Sequence, residues 1–171
     1  VRESFSSIAK AKETERAQDE RARYRNDLRQ KLYEQEGLNK IRESDIRRWE
    51  SVQRQNGTCL YCESPITFKT CEMDHIVPRK GVGSTNTRVN LAAVCAECNK
   101  LKSDTAFSVW ARTEDAALRK VSQRDAIERV KTFIFDKSVP PREQRAFKQA
   151  VISRLRQTES DPAIDNRSIE S

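Results

Sequence analysis

The chain of 171 residues has one histidine, one methionine and four glycines, and its aromatic content is only 6%. No apolar run approaches membrane-spanning length and no signal-peptide pattern opens the chain, so neither a spanning segment nor export is expected. Internal repeats and low-complexity tracts are absent as well. Few aromatics beside 35% charged residues and a mean hydropathy of −0.85 argue against one large core. A compact centre with solvated helices fits better, as one domain of ordinary size or a small domain with helical attachments. Six Phe, three Tyr and two Trp are nevertheless too many for a disordered chain.

The net charge of +7 permits an acidic partner such as nucleic acid. Residues 1–56 hold 14 basic against 11 acidic side chains, 57–112 seven against five, and 113–171 twelve against ten. The excess is therefore diffuse and reads mostly as solvated helix surface. Locally, Arg79, Lys80, Arg88, Lys100 and Lys102 crowd near the histidine and form the cluster expected to meet phosphates. Four of the five cysteines fall in two C-x-x-C pairs, which points to metal-bound thiolates in a reducing cytoplasm rather than to a secreted disulfide scaffold.

In chain order, residues 4–36 lack Pro and Gly and predict a long helix, with Tyr24, Leu28 and Leu32 as its only apolar stripe and Gly37 as its stop. A second helix is expected from Ser44 or Asp45 to Gln55, with Asp45 as N-cap, Ile46, Trp49 and Val52 inward, and Asn56-Gly57 ending it. Thr58 to Arg79 reads as a cysteine knuckle followed by a hairpin of Ile66–Phe68 and Met73–Val77, closed by Pro78. A flexible loop over 81–87 leads through a short turn at Asn90 to a helix at Ala96–Lys102 and another at Thr105–Ala111. Ser122 to Asp125 is a capping pattern before Ile127, Val130 and Ile134 at helical spacing. Pro140-Pro141 starts a last helix with Phe147, Val151 and Leu155 inward. The resulting division is a linker with the long helix at 1–43, a central domain at 44–157, and a linker at 158–171.

Cys59 and Cys62, with Cys95 and Cys98, match a tetrahedral Zn(Cys)4 site, each pair bending the backbone so that two thiolates face one ion. The 32 residues between the pairs exceed the span of a simple zinc ribbon, so the metal is expected to close the base of a larger insert. Four thiolates leave no open position, which makes this zinc structural. Cys71 is left over and is expected to pack in the hairpin core. A lone histidine is more often structural than catalytic. Here Asp74 and His75 are adjacent on a predicted strand and so point to opposite faces, where one could serve a metal and the other a water. Asn99 follows a zinc ligand directly.

Asp74-His75-Ile76-Val77-Pro78-Arg79, then Asn90-Leu91, then Cys95-Ala-Glu-Cys98-Asn99-Lys100 with Lys102-Ser103, resembles the H-N-H nuclease family. The resemblance implies a fold that is α+β but mostly helical: a small ββα-metal core with a Zn(Cys)4 knuckle, flanked by long charged helices. It implies His75 as general base on the attacking water, Asp74 and Asn99 as ligands of one Mg²⁺ (with Mn²⁺ as a substitute), and Asn90 orienting the histidine. Gly83 to Asn86 before Arg88-Val-Asn90, and Asn99-Lys-x-Lys-Ser103-Asp104, are similar to type II CRISPR RNA-guided endonucleases of the zinc-containing actinobacterial kind. Val1-Arg-Glu-Ser and Arg167-Ser-Ile-Glu-Ser171 resemble the segments that flank the domain there. The chain is then expected to be a monomeric H-N-H domain of a bacterial cytoplasmic effector. Its expected partners are the target DNA strand in an RNA–DNA heteroduplex, the guide RNA, and a RuvC-type nuclease half. Two other readings stand beside it: a free-standing H-N-H endonuclease of restriction or phage type, and a non-catalytic zinc-stabilised DNA-binding module.

Overall fold

The computed structural model describes residues 5–78 and 87–158, and among these the chain forms seven α-helices and one two-stranded antiparallel sheet. It divides into two units, Val1–Ile46 and Arg47–Ser171. None of the described helices is long and apolar enough to cross a membrane.

In the first unit, α1 (Phe5–Glu36) runs uninterrupted because nothing in it breaks a helix, and it stops at Gly37, whose φ of +68° is the left-handed conformation glycine adopts freely. Leu28 and Leu32 are buried, Tyr24 is half-buried, and the first half of the helix is almost wholly exposed. The helix α2 (Glu43–Arg54) starts earlier than Asp45. Asp45 is not the N-cap but sits inside the first turn, where its carboxylate accepts from the Arg42 N–H at 2.9 Å, as the reaching-back member of a capping box does.

The second unit is built around β1 (Glu72–His75) and β2 (Leu91–Val94), paired so that Asp74 faces Ala92 and His75 faces Leu91. The short helices α3 (Ala96–Lys102), α4 (Phe107–Trp110) and α5 (Glu114–Leu118) follow, then α6 (Gln123–Lys131) and α7 (Pro141–Arg156). Gln55 ties the end of α2 to the sheet. Its amide donates to the Ala93 carbonyl at 2.6 Å and accepts from the Ala93 N–H at 3.0 Å, completing a ladder step with a side chain. In the core Tyr61 stacks on Phe107 with centroids 4.6 Å apart and Trp110 lies against both; such ring pairs add about 0.5–1.5 kcal/mol each beyond area burial. A second aromatic group, Phe133, Phe135 and Phe147, packs where α6 and α7 meet, and Arg54 lies over the Phe147 ring at 4.3 Å.

Several expectations need correction. Ile66–Phe68 is not a strand; only a Thr58–Pro65 bridge forms nearby. The partner of β1 is instead Leu91–Val94, a segment whose four small or branched apolar residues read too short to stand out against the neighbouring turn. The strand stops at His75, because beyond it Ile76 and Val77 bond to Asn90 rather than continuing the ladder. Ser122 caps α6 through the Asp125 N–H as expected, but the helix ends at Lys131, which leaves Ile134 outside it and half-exposed. The expected helices at 96–102 and 141 onward form as read. The loop expected over 81–87 and the linker over 158–171 lie almost wholly outside the described residues.

Candidate active site and thiolate centre

The first C-x-x-C loop leaves α2 through Asn56 and Gly57, both at positive φ, and is closed by the Glu63 N–H on the Cys59 carbonyl at 2.9 Å and the Cys59 N–H on the Ser64 carbonyl at 2.8 Å. The second sits at the start of α3, where Cys95 is the N-cap and its sulfur accepts from the Cys98 N–H at 3.4 Å. Together they gather four sulfurs within 4.8 Å of one another. Zinc–sulfur bonds of about 2.3 Å in a tetrahedron require sulfurs roughly 3.8 Å apart, and Cys62 and Cys95 already stand at 3.6 Å. The donor set and its spacing fit zinc. The side-chain bond between Cys59 and Cys98 is the main reason the Cys59 thiol is lowered, to about 5, while that same bond and burial push Cys98 up.

Arg119, just past α5, covers this cluster. Its guanidinium donates to Cys98 at 3.3 Å, Cys95 at 3.4 Å and Cys62 at 3.6 Å, and it is ion-paired with Glu97. The bond to the Cys98 sulfur is the main reason its own pKa is raised. Arg129 on α6 supports the first loop by donating to the Leu60 and Tyr61 carbonyls, each at 2.8 Å.

A cleft of about 470 Å³ lies beside the end of β1, lined by Met73, Asp74, His75, Pro78, Asn99, Lys100, Ser103 and Asp104. Asp74 and His75 both border it, although they are neighbours on β1 and alternate along the strand. Asp74 is buried, and its Oδ2 accepts two bonds, from the Tyr61 hydroxyl at 2.7 Å and the Lys102 ammonium at 2.9 Å. Burial raises the Asp74 carboxyl above the usual carboxylate range, while Lys102 and then Tyr61 act against the rise. Burial, then the Asp74 charge, raises Tyr61 well above its ordinary value, so it stays a neutral donor. Lys102 also donates to the His75 carbonyl at 2.8 Å. Asn90, fully buried, clamps the segment after the histidine: its Oδ1 accepts from the Val77 N–H and its Nδ2 donates to the Val77 carbonyl, both at 3.0 Å.

The residues singled out from sequence thus sort by place. Asp74, His75, Asn99 and Lys100 share the cleft, with Lys100 exposed. Asn90 does not line it and is held by its two bonds to Val77. Arg88 is half-exposed and ion-paired with Glu50 at 2.8 Å. Lys102 has no exposed side-chain area and faces Asp74, not solvent. Arg79 and Lys80 lie outside the described residues. Cys71 is buried at the head of β1, near Arg48, in the same core cluster as Ile66 and Ile76, and burial raises its thiol. Tyr61, Arg119 and Arg129 were not found from sequence. A tyrosine between two candidate metal ligands was the one available signal among them; the side chains of the two arginines bond sulfurs and carbonyls that lie 21 or more residues away in the chain.

Residues 59–105 match the family model described as HNH endonuclease, and the chain accordingly carries an H-N-H endonuclease domain. Over its whole length it is 43% identical, across 174 residues, to the CRISPR-associated endonuclease Cas9 of Corynebacterium diphtheriae. It is 40% identical, across 177 residues, to that of Actinomyces naeslundii. The crystal structure of the Type II-C Cas9 enzyme from Actinomyces naeslundii matches 98% of this chain with a TM-score of 0.79 at 39% identity. Streptococcus thermophilus Cas9, at 18% identity and a TM-score of 0.52, shares the fold. The H-N-H domain is thus similar, over the whole chain, to one part of these Cas9 relatives. The chain spans 16% of the length of the curated relatives it matches.

Proposed function

We propose that this chain hydrolyses a phosphodiester in the DNA strand paired to a guide RNA, as the H-N-H part of a larger RNA-guided effector that also has a RuvC-type nuclease half. The observation that carries the reading is the convergence of Asp74, His75 and Asn99 on one cleft, in a chain that aligns end to end with part of Cas9 relatives.

His75 acts as general base. It takes a proton from a water whose oxygen forms a bond to phosphorus, while the bond from phosphorus to the 3′-oxygen breaks on the opposite side and that oxygen leaves with a proton from solvent. Asp74 and Asn99 would hold Mg²⁺, whose chemistry when bound is to stabilise charge on the phosphate and the departing oxygen. Their oxygen atoms suit such a hard ion, and Mn²⁺ has the same preference. Asn90 orients the histidine through the main chain, by fixing Val77 two residues on. Lys100 at the rim, with Arg88, Arg79 and Lys80, meets the strand's phosphates. The four cysteines would hold Zn²⁺, which fixes the two loops and takes no part in hydrolysis.

The test is target-strand nicking by the RNA-guided protein that contains this domain. His75→Ala should slow nicking by about 10²–10⁴-fold, the usual contribution of a general base, with guide-dependent DNA binding retained. Nicking at the wild-type rate would overturn the assignment.

A further inference from the structure

Tyr61 lies inside the first C-x-x-C loop, between Cys59 and Cys62 in sequence, and the proposed reaction gives it no role. Its ring is wholly buried against Phe107 and Trp110, a place that phenylalanine would fill as well. The hydroxyl, however, donates to Oδ2 of Asp74 at 2.7 Å, and Lys102 takes the same oxygen at 2.9 Å. Neither bond touches Oδ1, and Asp74 borders the cleft. Two donors on one oxygen stop the carboxylate from turning, so the other oxygen is presented in one direction. The loop that holds Tyr61 is itself fixed by the Cys59 and Glu63 N–H bonds and by Arg129. Asn99 is placed in a parallel way, next to Cys98 on α3.

We propose that Tyr61 is a positioning residue for the divalent cation of the cleft: anchored by the thiolate centre, it fixes Asp74 so that Oδ1 meets the ion. This rests on Asp74 being a ligand, as proposed above. Outer-shell partners of this kind change metal affinity by about 10–100-fold when removed.

The zinc-loaded chain of 171 residues is titrated with Mn²⁺ as the probe, by calorimetry. Tyr61→Phe should bind Mn²⁺ about 10–100-fold more weakly with zinc content and thermal unfolding close to wild type, and Asp74→Ala should lose the site. If the wild-type chain shows no Mn²⁺ site, or Asp74→Ala binds as wild type does, the reading of the cleft fails and the role of Tyr61 fails with it. If Asp74→Ala loses the site while Tyr61→Phe titrates like wild type, the cleft reading stands and the Tyr61 role alone is overturned. A second measurement needs no variant to fold. The chain has three tyrosines, Tyr24, Tyr33 and Tyr61; in a chain labelled with ¹³C at tyrosine rings, Mg²⁺ should move the Tyr61 signal and leave the two on α1 in place. A Tyr61 signal that stays still at saturating Mg²⁺ overturns the proposal.

Discussion

Replacing Lys102 with methionine tests the buried half of the cleft most sharply. The substitution keeps the length of the stem, adds no polar atom and removes one charge. Among the described residues it leaves the Asp74 carboxylate with Tyr61 as its only donor, and it takes away the bond to the His75 carbonyl. Breaking a buried ion pair by removing one partner costs about 3–5 kcal/mol, because the remaining charge is uncompensated. Asp74 keeps a strong hydrogen bond and borders a cleft, so the lower end, about 3 kcal/mol, is expected at neutral pH without magnesium. For a chain of this size that lowers Tm by about 6–12 °C. The sign of the pH dependence follows from Asp74. Its folded pKa lies above its unfolded value in the wild type, and loss of the ammonium raises it further. An acid raised in this way contributes stability below its unfolded pKa and loses it as pH climbs through the folded pKa. The deficit of Lys102→Met should therefore shrink on acidification, and adding Asp74→Asn should recover about half of it at neutral pH by removing the stranded charge. Urea unfolding of the zinc-loaded single and double variants from weakly acidic to neutral pH measures all three quantities. A Lys102→Met variant within about 1 kcal/mol of wild type, with no recovery on adding Asp74→Asn, would refute the pairing as a buried one.

Two further outcomes follow from the same geometry. Arg119→Gln should release zinc to a chelator about 10–100-fold faster than wild type, since three sulfurs lose a charged donor; the wild-type chain should carry about one zinc by metal analysis, and an unchanged release rate would deny Arg119 any hold on the cluster. Asn90→Ala should destabilise by about 2–4 kcal/mol, because it strands the Val77 N–H and carbonyl in a buried site; a loss under about 1 kcal/mol in urea unfolding would mean that water replaces the amide.

Much of the site was legible because its chemistry depends on residue type and short spacing. Two C-x-x-C pairs, an Asp-His step and an asparagine beside a cysteine are all local, and they mark the cleft and the sulfur cluster without any long-range information. The strand partner of Asp74 was not legible, because pairing is a long-range choice and Leu-Ala-Ala-Val carries almost no period-two signal; Ile66–Phe68 looked the better strand by propensity alone. The same limit explains Lys102. As sequence it is one more cation near the histidine, and only the packing of α3 on β1 turns it inward onto Asp74. Arg119 and Arg129 resemble any surface arginine on a charged helix until the fold brings them onto the first cysteine loop. Ile134 shows the opposite error: a helical spacing continued past the point where α6 had already ended.

The placement of Tyr61 and Asn99 beside sulfur ligands gives the molecule an order of events. The cysteine pairs are 32 residues apart in the chain, and closing a flexible loop of that length costs about 3 kcal/mol before other terms. A soft ion held by four thiolates offsets that many times over, at about 10–16 kcal/mol for structural zinc. On the proposed reading, the ion that prefers sulfur would arrive first and hold together the two stretches that carry Asp74 and Asn99 for the ion that prefers oxygen.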